Sequence, residues 1–225
     1  MSRIKAEVAK KSPRMTQAER TALSDSRMYE AAMQLISEIG THATTLKEVG
    51  ERAGYSRGLA SNRFGSKEAL FANLVHDFNV KWVDELGLFV GGRTGLSALM
   101  AGLEAVEDFL VNQSTYMKAM YILWYESISI NNDLRVRLGE YHVVYRRDVE
   151  RWVREGIAEG FIRPAVDPGR FAVQFCAFIF GTIYQWLVNP EAIDIKSTFQ
   201  DYRSSMLELL GERRRASGER MAGPE

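Results

Sequence analysis

A chain of 225 residues that is 46% hydrophobic can bury one large core or two small ones. Its 29 Lys and Arg balance 29 Asp and Glu, which excludes a global field that would draw it to nucleic acid. The charge is nevertheless uneven. Residues 1–70 hold 12 basic against 8 acidic side chains, and residues 71–225 hold 17 against 21.

Cys176 is the only cysteine, which excludes an intrachain disulfide framework and suits a reducing cytoplasm. The opening "MSRIKAEVAKKSPRM" has no apolar run of the secretory kind, and residues 1–15 read as a flexible basic arm. From Thr16, Met28, Ala32, Leu35, Ile36 and Ile39 recur on one helical face, and Gly40 is placed to end that helix. Thr45 is a candidate N-cap for a short helix in which Leu46, Val49, Gly50 and Ala53 repeat, with Gly54 as its left-handed terminator. Ser56 then precedes another short segment, Arg57 to Phe64.

Ser66 opens a long helix with Phe71, Leu74, Val75, Phe78, Trp82, Leu86 and Phe89 on one side, broken by "GGRTG". A helix beginning at Thr94 or Ser97 follows, then the apolar "TYMKAMYILWYESISI", then an amphipathic stretch ending at Gly160. Asp167-Pro168, a cap with proline in the first turn, launches "FAVQFCAFIFGTIYQWLV". A last helix lies around Ser197–Leu210, and residues 213–225 read as a disordered tail. No alternating strand pattern occurs, so the fold is all-α with about nine helices.

Two short helices joined by a glycine-containing turn form a helix-turn-helix, whose second helix fits a DNA major groove. Val49, Ala53, Ala60 and Phe64 face inward and leave Arg57, Leu59, Ser61 and Asn62 outward, while Gly58 permits close approach to the backbone. Asn can address adenine, Arg guanine and Leu a thymine methyl. Thr45 and Lys67 stand at helix N-termini, where free N–H groups favour phosphate.

"TTLKEVGERAGYSRGLASNRFGSKEALF" resembles the DNA-binding signature of the tetracycline-repressor (TetR) family of bacterial transcriptional regulators, closely over residues 16–75. The resemblance rests on Thr45, Ala53-Gly54, Ser56, Gly58, Phe64 and Ser66-Lys67-Glu68 as a set. It implies a DNA-binding domain over 16–65 and a ligand-binding and dimerisation domain over 66–212. Where the family commonly has an aromatic and a histidine late in the recognition helix, this chain has Ser61, Asn62 and Arg63, so Asn62 or Arg63 is expected to take over a phosphate contact.

The family's matching helices surround a ligand cavity. That places Trp82, Phe89, Tyr116, Met120, Trp124, Tyr125, Tyr141 and Tyr145 as cavity residues, with ordinary core packing as the alternative. With no Arg or Lys aimed among them, a neutral apolar or aromatic ligand is expected. The greasy helix has too few polar residues for a solvent face, so it and the last helix are expected to pair across a twofold axis in a homodimer. Phe171, Phe175, Phe178, Gly181, Thr182, Phe199, Tyr202 and Met206 are the expected contacts, and no membrane is involved.

His42, His76 and His142 lie far apart and no spacing suits a metal, so no catalytic residue, metal or cofactor is expected. The expected function is a repressor released from its operator by a small hydrophobic ligand. The alternatives are a ligand-independent or co-repressor-dependent regulator and, more distantly, a helical enzyme with a vestigial DNA-binding domain.

Overall fold

Helix boundaries in this chain follow from side chains that satisfy free backbone N–H groups. In the computed structural model, which describes residues 15–129 and 133–211, α1 spans Gln17–Ala43. It opens with Thr16 and Glu19 capping each other's backbone N–H groups. Gly40, at φ +77°, interrupts this helix, and one further turn runs on to Ala43. Ile39 is 46% exposed and lies off the buried face formed by Met28, Ala32, Leu35 and Ile36.

Thr45 and Glu48 cap each other in the same way at the start of α2 (Leu46–Arg52). Helix α3 (Leu59–Phe64) is capped by Gly58 without a side-chain bond, so Ser56 is not its N-cap. The Ser56 carbonyl instead accepts from Leu59 N at 3.0 Å. Ser66 caps α4 (Lys67–Val90), and α5 (Gly95–Asn112) and α6 (Ser114–Ile128) follow. Then come α7 (Asp133–Ala158), α8 (Pro168–Val188) and α9 (Ile195–Leu210), the last two capped by Asp167 and Asp194. The described residues contain these nine helices and no strand. The arm expected over 1–15 lies, apart from Met15, outside the described residues, as does the tail over 213–225.

Helices α1, α2 and α3 pack together at one end, and α5 to α8 form a bundle at the other. Helix α4 belongs to both: its first turns carry Leu70, Phe71 and Leu74 into the buried core, and its later turns pack on α5 and α7. Helix α1 also runs along α6.

Helix α8 is long and apolar enough to cross a membrane by composition, but here it lies against α7 and buries Phe171, Phe175, Cys176, Ile179 and Ile183. This corrects the expected dimer face. Phe171, Phe175, Thr182, Phe199 and Met206 are turned into their own subunit, each at most 7% exposed. Phe178 and Tyr202 are half-buried and stack on each other at 3.5 Å. What α8 turns outward is Val173, Ala177, Tyr184 and Val188.

Candidate DNA interface and ligand cavity

The recognition surface is built on a close helix crossing. A Cβ at Gly50 of α2 would stand 3.0 Å from the Ser56 carbonyl and 3.7 Å from Ala60 Cβ, so a side chain there would push the turn back from α2 by a few tenths of an ångström. Tyr55 N donates to the Gly50 carbonyl at 2.9 Å, and Gly54 takes φ +80° to reverse the chain. Val49 and Ala60 are wholly buried, and Phe64 meets Tyr29 of α1 at 5.7 Å. With α3 fixed this way, Arg57, Gly58, Ser61 and Asn62 are exposed and Leu59 half-buried.

Besides Thr45, whose hydroxyl is held in the Glu48 capping box, three of the expected DNA contacts are engaged within the chain. Arg63 donates to Asp25 of α1 at 2.6 Å, both side chains being about a quarter exposed, and so ties α3 to α1. The Lys67 ammonium donates to the carbonyls of Thr41 and His42 at 3.1 and 3.4 Å, where the end of α1 offers partial negative charge. Arg57 pairs with Glu51, but its side chain is 73% exposed, so solvent competes strongly for that pair. A further tie, unforeseen in the sequence, is the fork from Arg52 to Glu38 at 3.0 and 2.9 Å.

Within the bundle, five helices line an apolar cavity of about 90 Å³ that is partly open. Helix α4 supplies Phe78, Trp82 and Leu86, and α5 supplies Gly102, Val106, Phe109 and Leu110. Met117 and Trp124 come from α6, and Tyr145, Asp148, Val149 and Trp152 from α7. Helix α8 closes the wall with Phe175, Cys176, Ile179, Phe180 and Ile183. The rings interlock edge to face: Phe78 on Phe109 and Trp124 at 5.6 and 5.7 Å, Trp82 on Phe109 at 5.8 Å. Gly102 leaves room for the Trp152 ring, which a Cβ there would approach to 2.9 Å.

Of the eight aromatic and Met residues expected here, Trp82, Trp124 and Tyr145 line the cavity. Phe89 lies beyond it near the end of α4. Tyr116 receives a hydrogen bond from Lys81 at 2.7 Å and donates to Asp77, tying α6 to α4 outside the cavity. Tyr141 pairs with His76 at 3.1 Å, and Met120 is buried in the core. Tyr125 is 48% exposed and packs on Tyr184 of α8. Trp152 was not among the expected cavity residues, and the α8 side chains were read as a partner surface.

Burial pushes the Cys176 thiol up to about 11, so it stays protonated and is no nucleophile at neutral pH. His142 is stacked on Phe180 at 4.9 Å and meets Trp124 edge-on at 5.7 Å. Burial first, then the charge of Arg146, holds its imidazole below the ordinary value of 6.5. A depressed histidine leaves the unfolded chain the better proton acceptor, so stability is full above pH 6.5 and falls as the pH drops below it. His142→Phe is expected to lessen that acid sensitivity, read as a smaller fall in urea midpoint between about pH 7 and pH 5. Among the described residues no group of three or more His, Cys, Asp or Glu could hold a metal.

The family model described as bacterial regulatory proteins, tetR family, matches residues 29–74, the segment holding the helix-turn-helix. Residues 29–74 of the chain form a DNA-binding domain of the kind found in the tetR family of bacterial regulatory proteins. The chain is a DNA-binding regulator of transcription. The curated HTH-type transcriptional regulator AcrR of Shigella flexneri is 24% identical over 188 residues, covering 81% of this chain and 86% of its own. The fatty acid degradation regulator FadR of Bacillus halodurans has the same fold, with TM-score 0.71 at 17% identity over 85% of this chain and 96% of its own. A SmeT–triclosan complex superposes with TM-score 0.68 at 22% identity, over 81% and 90% of the two chains. AcrR and FadR are regulators by name.

Proposed function

We propose that this tetR-family regulator is a cytoplasmic homodimeric repressor that leaves its operator when a small, apolar, uncharged ligand enters the bundle. The observation that carries this reading is the apolar cavity walled partly by α4, the helix that also runs into the DNA-binding end. At about 90 Å³ the cavity is smaller than a pocket for a drug-sized ligand, roughly 300 Å³ and upward. A ligand therefore has to part the helices, and Phe78, Trp82 and Leu86 transmit that displacement to α4. Recognition helices of a dimer must sit about one DNA turn, 34–36 Å, apart, so moving α4 lowers operator affinity. The effect extends only as far as the ligand prefers the parted form. That a SmeT structure holds triclosan supports an apolar aromatic ligand here.

In this reading Arg57, Leu59, Ser61 and Asn62 address base edges, Gly58 allows close approach, and Thr45 and Lys67 meet phosphate. Arg63 acts by holding α3 to α1. The subunits pair through the outward face of α8, where Val173, Tyr184 and Val188 are 55%, 45% and 66% exposed.

Gel shifts of the full chain on an operator selected from random duplexes, with and without apolar aromatic compounds, test the reading. Asn62→Ala is expected to cost about 1–3 kcal/mol on that operator and little on random DNA. Lys67→Ala should weaken both alike and shallow the salt dependence by about one counterion per subunit. Operator affinity unmoved by every compound that raises the melting temperature would sink the release mechanism.

A further inference from the structure

The cavity wall is almost wholly apolar, and its few polar groups are not alike. The Tyr145 hydroxyl donates to Asn79 Oδ1 at 3.0 Å, and Asp148 accepts from Arg151 at 3.0 Å on the solvent side. The Cys176 thiol stays protonated and is a weak donor. The remaining groups are the indole N–H donors of Trp82, Trp124 and Trp152, and of these Trp124 Nε1 and Trp152 Nε1 are buried without a hydrogen-bond partner. Trp152 is only 3% exposed, and no solvent reaches its nitrogen. An unpaired buried donor is destabilising, and two in residues that line one cavity are the capacity that a plain core avoids.

We infer that the ligand is an uncharged aromatic molecule bearing a hydrogen-bond acceptor such as a carbonyl oxygen, which the indole N–H groups of Trp124 and Trp152 recognise. The inference rests on the ligand-binding reading above and specifies its chemistry. Parting of the helices, which the cavity's size requires of any ligand, is what brings the acceptor to these nitrogens. The Asp148 carboxylate at the wall, with no Lys or Arg lining the cavity, disfavours an anion. Indole offers a donor and no acceptor, so a ligand whose only polar group is a donor gains nothing from either nitrogen.

The test uses three probes of nearly one shape: acetophenone, α-methylstyrene, which replaces the carbonyl oxygen by a methylene, and benzoate. Each is titrated into the full chain and followed by tryptophan fluorescence and by the indole N–H resonances of ¹⁵N-labelled protein. Acetophenone is expected to bind about three- to tenfold more tightly than α-methylstyrene, the worth of one net hydrogen bond, and more tightly than benzoate. It should also shift an indole proton downfield where α-methylstyrene does not. Trp152→Phe and Trp124→Phe should each narrow the acetophenone to α-methylstyrene ratio, which cancels any general effect of the variant on folding.

Equal affinities for acetophenone and α-methylstyrene in the native chain would overturn the acceptor inference while leaving the cavity reading standing. Benzoate binding best would overturn the uncharged assignment. Failure of all three probes to bind would remove the ligand-binding reading and the inference with it.

Discussion

Replacing Gly50 with valine is expected to lower operator affinity by at least about thirtyfold. The first added carbon would stand 3.0 Å from the Ser56 carbonyl oxygen, a backbone atom that cannot swing aside as a flexible side chain would. Valine's two further methyl groups make the crowding worse. Relief requires the turn to move away from α2, yet the turn is pinned by Tyr55 N on the Gly50 carbonyl and by Leu59 N on the Ser56 carbonyl. Helix α3 therefore moves with it, and hydrogen bonds to base edges weaken steeply once they stretch past about 3.2 Å. Overpacking of this kind typically costs about 1–3 kcal/mol per site, and a dimer suffers it twice. Gly50→Ala carries one crowded carbon and should lose roughly tenfold. Fluorescence anisotropy on the selected operator reads the loss, and tryptophan fluorescence reports the bundle separately, since Trp82, Trp124, Trp152 and Trp186 all lie beyond α3. A valine variant that bound within about threefold of the native chain would show that the crossing of α2 and α3 does not set the recognition surface.

What could be read from the sequence was whatever is decided within a few residues. Thr45, Ser66 and Asp167 cap the helices assigned to them because an N-cap bond spans three residues and needs no tertiary context. Gly54 is left-handed for the same local reason. Amphipathic helices such as α4 gave their buried faces through periodicity, and Phe71, Leu74, Val75 and Phe78 are buried as that pattern implies.

The failures lie where periodicity carries no phase or where two distant segments choose each other. Helix α8 is apolar nearly all round, so sequence alone cannot say which side faces α7, and Phe171 and Phe175 were placed on the wrong side. Arg63 looks like a DNA contact until Asp25, 38 residues earlier, is found beside it. Tyr116 and Tyr141 have polar tips as expected, but Lys81, Asp77 and His76 satisfy them outside the cavity. Only the folded arrangement shows that Trp152 reaches the same space as Trp82 and Trp124.

Phe199→Ala is expected to be the most destabilising of the substitutions considered, at about 3–5 kcal/mol. The ring is 1% exposed, stands edge to face with Phe178 of α8 at 5.6 Å, and belongs to a helix packed on α5. Removing it strips α9 of its largest buried side chain, because Met206 and Leu210 are the only other buried residues on that helix. It also exposes one face of the Phe178–Tyr202 stack. The urea midpoint should fall by on the order of 1–2 M, and Phe199→Leu, which refills most of the volume, should recover the greater part. Dimerisation should weaken with it, since a loosened α9 no longer braces α8, whose outward Val173, Tyr184 and Val188 form the proposed subunit contact. Operator binding would then become steeply dependent on protein concentration, as it must when the dimer is the binding species and the subunits dissociate. A midpoint shift below about 0.3 M would mean that Phe199 is not packed within its own subunit. If the loss appeared only in dilute protein, the ring would instead be buried against a partner. Equilibrium unfolding at two protein concentrations tenfold apart separates these outcomes, because a ring buried within its own subunit lowers the midpoint at both concentrations.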